Sequence, residues 1–456
     1  MHARVRGTQA AKGVPWLVPL FILALTLVGP LLGREYGRYL LAFYVALIPL
    51  VLSRALPAPR RVPLLYLYIA ANALALILHA GDLDSILNVG SLLVSVIAIA
   101  GTAYYCASRH DNRLVDQSIE KWLWISLSLS FLVSILLTAV GWPMAPDYFP
   151  WEAFYSDKRL LLIAGEGVGH SPSLWALAFL AAFTIHRFGI QRRYKAALVL
   201  VLAALVLLLL ATKSRLALLY LLNLLLMALA YKKVPFARIL VRVVPAAYAV
   251  AFLLLAVSPE LGAGVNLAAQ AAQREVGDWI RITPGEESRA TVFAGRDVLN
   301  RALRSASMEK PMQGLGDGAD ILQYGVDEDG NVAYDPDHRR AGSESVLRLA
   351  VKYGWPYFAA LAFFLGSIPF QLTKLPPRER ILKGGMWGMC VESIASEGGM
   401  ENFYSVSGLF LFLMCLFLFQ ASTRKRCEVI NAVEPREATP TMASGPFGVS
   451  QPSRIR

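Results

Sequence analysis

Long runs of apolar residues, each bounded by charged residues, proline or glycine, recur along the chain. A helix needs roughly 20 residues to cross the ~30 Å hydrocarbon core of a bilayer, and most of the runs have about this length. The pattern therefore predicts about twelve transmembrane helices. The runs cover residues 15–33, 39–55, 62–80, 86–107, 121–141, 171–188, 195–212, 215–231, 239–257, 346–370, 382–396 and 403–421.

The composition agrees with this pattern. Of the 456 residues, 56% are hydrophobic and only 17% are charged, so the chain is far more apolar than an average soluble domain. This excludes a cytosolic globular enzyme. We predict an all-α polytopic membrane protein with nine transmembrane helices in residues 1–257 and three more in residues 346–421. Residues 258–345 form one large periplasmic loop, and the polar residues 422–456 form a disordered cytoplasmic tail.

Positive charge alternates between the connections. The net charge is +12, from 44 Lys and Arg against 32 Asp and Glu, but basic residues in membrane proteins collect in cytoplasmic loops, so no nucleic-acid partner is expected. Every second connection carries at least three basic residues, and the others carry two or fewer. We therefore predict a multi-pass protein of the bacterial inner membrane with both termini in the cytoplasm. The basic connections lie near residues 4–12, 54–61, 109–121, 187–195, 232–242, 374–383 and 424–426.

The candidate binding residues are cations on the predicted outer side. Arg215 follows Lys213 in a short polar connection and begins an apolar run, where an isolated cation is expensive. It either snorkels to lipid headgroups or joins Arg289 and Arg296 of the large loop in an anion site, because a guanidinium grips phosphate oxygens bidentately. The two loop arginines belong to a predicted amphipathic helix at about 288–305, and alternatively they simply solvate one face of it.

The candidate acid–base residues are Glu344, His170 and His338. Glu344 lies where the large loop re-enters the membrane; it either caps a helix N-terminus or accepts a proton from an attacking hydroxyl. A lone histidine is more often structural, although each of the two can act as an acid or a base. Glu392, inside the eleventh run, either pairs with Arg215 or another cation, or has a functional role.

Other patterns are weaker. Gly314, Gly316 and Gly318 predict a turn, because no strand–helix unit surrounds them as a nucleotide site would require. The four cysteines form no CxxC pair and have no histidine at ligand spacing, so neither a disulfide framework nor a metal site is indicated.

Four segments carry a family resemblance. They are residues 159–173, which include Arg159 and His170; Thr212-Lys213-Ser214-Arg215; residues 295–316, from Gly295-Arg296 to Gly314-Leu315-Gly316; and residues 344–354, from Glu344-Ser345 to Tyr353-Gly354. In their order and topology these segments resemble motifs of the O-antigen ligase/polymerase superfamily. Its members are polytopic glycosyltransferases of the GT-C type and include exopolysaccharide polymerases.

The resemblance implies a function for the predicted outer side of the membrane. It implies transfer of a polyprenyl-pyrophosphate-linked oligosaccharide, without nucleotide sugar, cofactor or metal. Ligases of the superfamily typically place histidine where this chain has Ser343-Glu344, and this departure favours a polymerase of O-antigen or exopolysaccharide repeat units. The alternatives are ligase-type transfer of polymer to a lipid core or a protein, and a lipid-linked oligosaccharide flippase.

The resemblance also implies roles and partners. Arg215 and Arg296, helped by Arg289, would hold the pyrophosphate, and Glu344 would orient or deprotonate the acceptor hydroxyl with one of the two histidines in reserve. The partners are the lipid-linked oligosaccharide and membrane lipid, and a chain-length regulator would be a further one.

Overall fold

The computed structural model describes most of the predicted helices. The described residues are 16–28, 37–52, 60, 62–79, 81, 83–139, 172–190, 199, 202–203, 206, 215–232, 239, 243–244, 246–247, 296–316, 347–397 and 406–433. These parts of the chain are helical and contain no β-strand, which confirms the all-α fold class.

The helices in chain order are α1 (Leu17–Leu23, followed by a π-helical turn at Ala24–Val28), α2 (Gly37–Leu52), α3 (Pro63–Leu78), α4 (Leu83–Arg109), α5 (Asn112–Ala139), α6 (Pro172–Ile190), α7 (Arg215–Lys232), α8 (Arg296–Glu309), α9 (Leu347–Tyr353), α10 (Trp355–Leu372), α11 (Pro377–Glu397) and α12 (Val406–Val433).

Apart from α8, which lies in the predicted large loop, the described helices overlap the apolar runs of the sequence. The runs at 195–212 and 239–257 lie outside the described residues except for isolated helical positions. By length and composition, two described helical segments are able to cross a membrane, Ile86–Arg109 and Trp355–Leu372. Shorter apolar helices occur at Leu17–Thr26, Pro63–Leu78, Trp175–Gly189, Leu219–Tyr231 and Gly408–Ser422.

Some helix boundaries differ from the prediction. In the large loop, α8 ends at Glu309 rather than near residue 305. The helix does not continue further because Pro311 follows, and a proline breaks a helix interior. The last helix continues to Val433, so it includes the first residues of the predicted tail. Residues 434–456 lie outside the described part of the chain, as does most of the predicted loop 258–345.

The run at 346–370 is two helices instead of one. Gly354 separates α9 from α10 and has a φ of 82°. Pro356, the second residue of α10, has no N–H for the carbonyl of Lys352, and its ring would collide with that carbonyl in a continuous helix. The break is therefore fixed by the sequence itself, although the run is predominantly apolar.

The core is built around α12. Residues 408–421 are buried on every side of this helix, as expected for a helix that is apolar all round, and it packs against α4 and α10. The outward surfaces of α7 and α10 expose large apolar side chains, among them Leu222, Leu225, Phe363 and Phe370. An apolar surface of this kind marks contact with lipid or with another protein.

Candidate functional site

The bundle has two ends with different polar contacts. We call the end that carries His79, the turn at 310–316 and Tyr353 the loop end. We call the end that carries Asp116, Glu379 and Lys383 the lysine end. The contacts that define the loop end join segments for which the charge pattern predicts the outer side, and those that define the lysine end join segments for which it predicts the cytoplasmic side.

At the loop end, the turn at 310–316 completes the break between α9 and α10. The N–H of Leu315 donates to the carbonyl of Val351 (2.6 Å), and the N–H of Gly316 donates to the carbonyl of Lys352 (3.1 Å). In return, the N–H of Trp355 donates to the carbonyl of Pro311 (2.8 Å). The turn thus satisfies backbone groups that the broken helix leaves without intrahelical partners.

Two glycines allow this close approach. A Cβ at Gly314 would overlap the carbonyl group of Lys352, and a Cβ at Gly354 would overlap the carbonyl group of Met312. Both glycines have positive φ angles, 79° and 82°, in a region that side-chain-bearing residues rarely adopt. The third and fourth motif segments of the sequence therefore interlock through their glycines.

His79 joins α3 to the same place. Its Nε2 lies 2.8 Å from the backbone carbonyl oxygen of Gln313, and its ring meets the ring of Tyr353 edge-on, with 6.3 Å between centroids. His79 is only half-buried. It follows α3 directly, so this helix is tied to both motif segments by one side chain.

A buried polar group continues inward between α3 and α10. The hydroxyl of Tyr357 donates to Oδ1 of Asn72 (3.2 Å) and lies 3.2 Å from the hydroxyl of Tyr68. Asn72 in turn donates to the backbone carbonyl of Tyr68 (2.8 Å). The ring of Tyr353 packs on that of Tyr357, with centroids 4.9 Å apart, so the loop end is connected to the core by a continuous set of polar and aromatic contacts.

Two cations are buried in α9. Arg348 and Lys352 are 8% and 9% exposed and lie one helical turn apart. The α9 segment therefore places two basic side chains near the loop end, and each of them has contacts in the structure.

The predicted site residues are described only in part. Arg215 is the first residue of α7 and Arg296 is the first residue of α8. The structure describes the backbone of these two residues but not their side chains. Lys213 and Arg289 lie outside the described residues, as do His170, His338 and Glu344. Glu344 precedes the start of α9 at Leu347 by three residues.

Glu392 has a partner inside the bundle. Nδ2 of Asn223 donates to Oε1 of Glu392, and the hydroxyl of Tyr220 lies 2.5 Å from that of Ser393, so both bonds join α7 to α11. Asn223 lies eight residues after Arg215, about 12 Å along the helix. The described contact of Glu392 is therefore to an amide deeper in α7 than the position of Arg215.

The lysine end is a network of charges. Lys383 is fully buried, with its Nζ 3.3 Å from Asp116 and 3.7 Å from Glu379. Arg187 pairs with Glu120 in the same region. Burial raises the pKa of Glu120, although the paired arginine opposes the shift; burial outweighs the pair because water is excluded around the carboxylate.

Three residues of the loop end were not singled out from sequence. His79 stands directly after an apolar run, and Arg348 and Lys352 lie inside one. A charged residue within an apolar run is itself a signal, and it would have identified the two cations. No local pattern would have identified His79, because its contacts come from distant parts of the chain.

The described residues contain no group of three or more His, Cys, Asp or Glu side chains able to hold a metal ion. No protein-family model matches this chain, and no curated protein matches it.

Proposed function

We propose that this chain is an integral membrane polymerase that joins polyprenyl-pyrophosphate-linked oligosaccharide repeat units into O-antigen or exopolysaccharide on the outer side of the inner membrane. The observation that carries the proposal is the interlocking of residues 311–316 with residues 351–354 at the loop end. These are parts of two segments that resemble the O-antigen ligase/polymerase superfamily. Their packing supports a common role, because a group-transfer site needs fixed backbone positions.

The positive charge of the region supports binding of a diphosphate. Arg215, Arg296, Arg289 and Lys213 would hold the pyrophosphate and stabilise the charge that grows on it as the glycosidic bond breaks. The residues are drawn from separate segments, as expected for a site that must surround a leaving group.

The chemistry is a direct displacement. The acceptor hydroxyl attacks the anomeric carbon of the donor sugar, the bond to the pyrophosphate oxygen breaks, and the anomeric configuration inverts. Glu344 orients or deprotonates the hydroxyl, with His170 or His338 as the alternative base. The lipid tails would lie among the helices, and the loop 258–345 would shield the site from water.

Membrane insertion is part of the proposal and has its own support. The apolar surfaces of α7 and α10 suit lipid, two described helical segments are able to span a bilayer, and the contacts that define each end of the bundle join segments for which the charge pattern predicts one side of the membrane. These features are what an inner-membrane protein with the predicted topology requires.

Arg215 provides the test. In cells that lack the native gene, the Arg215→Ala variant should lose the long chains on a polysaccharide gel and accumulate single repeat units, with polymer reduced about 100-fold or more. Arg215→Lys should make more polymer than Arg215→Ala but less than the native protein, because an ammonium does not make the bidentate contact. Arg113→Ala, an exposed arginine at the lysine end, is the matched control and should keep normal polymer.

Other outcomes would separate the alternatives. Normal chain-length ladders with Arg215→Ala at equal protein level would remove this residue from the mechanism. Deletion cells that accumulate long polymer on the polyprenyl carrier would favour a ligase instead. Deletion cells whose repeat units stay on the cytoplasmic side would favour a flippase.

A further inference from the structure

The contact of His79 fixes which nitrogen carries the hydrogen when the ring is neutral. The oxygen that lies 2.8 Å from Nε2 belongs to a backbone carbonyl, which accepts hydrogen bonds and never donates them. Nε2 must therefore carry the hydrogen. In the neutral imidazole the lone pair is then on Nδ1, so the ring presents a base on this atom.

The orientation of the ring is also held. Nε2 is anchored to Gln313, and the ring lies edge-on to Tyr353. Tyr353 packs on Tyr357, whose hydroxyl is bonded in the core to Asn72. Proteins commonly orient a reactive imidazole in this way: one ring nitrogen donates to a carbonyl, and this bond sets the position and the tautomer of the other nitrogen.

His79 lies at the contact between the two interlocked motif segments. It touches one residue from each of the two interlocked motif segments, and its partial exposure leaves the ring accessible. The turn at 310–316 donates two backbone hydrogen bonds to the end of α9. A base is thus brought to the place where the two motif segments interlock.

We propose that His79 is the general base of the glycosyl transfer. This inference rests on the proposed function and assigns the proton acceptor to His79 in place of Glu344, His170 or His338. As the acceptor oxygen forms its bond to the anomeric carbon, its proton passes to Nδ1 of His79. The bond between the anomeric carbon and the pyrophosphate oxygen breaks, and the lipid pyrophosphate leaves with the electron pair. The imidazolium then returns its proton to water, and Glu344 orients the acceptor hydroxyl.

Two substitutions separate catalysis from anchoring. In His79→Gln the side-chain amide reaches the position of Nε2 and still donates to the carbonyl of Gln313, but the base on Nδ1 is absent. His79→Ala removes both functions. His79→Asn places an amide near the position of Nδ1 and also lacks a base. His110→Gln, at the other end of the bundle, is the matched control.

The assay uses the full-length protein in membranes, with lipid-linked repeat units extracted from cells that lack the gene. We expect His79→Gln and His79→Asn to lower kcat about 100- to 10,000-fold, with KM within about threefold of the native value and with His110→Gln unchanged. Retention of kcat by either folded variant would overturn the proposal and leave His79 as an anchor. Failure of the native protein to lengthen the repeat unit would instead overturn the proposed function.

Discussion

At the scale of single residues, the loop end depends on the absence of side chains. Gly314 and Gly354 each face a backbone carbonyl at a distance that a Cβ cannot share, and both have positive φ angles. The two costs add, because alanine would have to adopt an unfavourable backbone conformation and displace a rigid peptide group. This explains why glycines occur in both interlocked segments.

Gly354→Ala should therefore lower the free energy of unfolding by about 1–3 kcal/mol or more. Gly366→Ala is the control, because Gly366 lies in α10 with open space around its Cβ position, and alanine in a helix interior is favourable by roughly 0.5–1 kcal/mol. Thermal unfolding of the purified proteins in detergent measures the stability of both variants. A Gly354→Ala variant as stable as the control would contradict the described packing.

At the scale of elements, the lysine end fastens helices that are far apart in sequence. Lys383 of α11 pairs with Asp116 of α5, and Gln420 of α12 reaches the same carboxylate at 3.4 Å. Nδ1 of His186 in α6 bonds to the hydroxyl of Tyr231 in α7. Buried charges of this kind are stable only while each has its partner. The network therefore stabilises the bundle only when these particular helices are neighbours.

Lys383→Met should destabilise the protein by about 3–5 kcal/mol, since it leaves two partly buried carboxylates without their cation. Lys374→Met removes an exposed lysine in the connection between α10 and α11 and should change stability by less than about 0.5 kcal/mol. The measurement is the loss of folded protein on heating in detergent. Equal stability of the two variants would show that the described pairs are not formed.

At the scale of the whole molecule, the two ends are chemically different. The loop end combines a glycine-dependent turn, a directed histidine and two buried basic side chains, whereas the lysine end carries the ion pairs of Lys383 and Arg187. The helices between them are apolar outside as well as inside. Such a molecule fits a membrane in which one end faces the substrate and the other faces the cytoplasm, as the proposed function requires.

Cysteine labelling tests this orientation. Met312 at the loop end is 71% exposed, and Arg113 at the lysine end is also exposed. With Cys427 replaced by serine, a membrane-impermeant maleimide should label Met312→Cys in spheroplasts and label Arg113→Cys only after permeabilisation. The native Cys106, Cys390 and Cys415 are buried and should not react. Labelling of both variants from the same side would contradict the proposed topology.

The candidate site was predictable only where its signal is local. The glycines at 314 and 316 indicated a turn, which the structure contains, and Arg215 was expected to begin a helix, as it does. The contacts that join these segments were not predictable. The roles of Glu344, Arg289 and the other predicted site residues stay predictions.

The sequence by itself determined the helices of this protein, because an apolar run and the residues that end it are properties of neighbouring positions. It also carried the charge alternation on which the predicted orientation rests. Only the tertiary structure decided which segments meet. His79 and Gln313 are 234 residues apart, and their contact exists because packing of α3 against α10 brings the end of one helix to the break before the other. No local pattern encodes that distance, so the site is a property of the packed bundle.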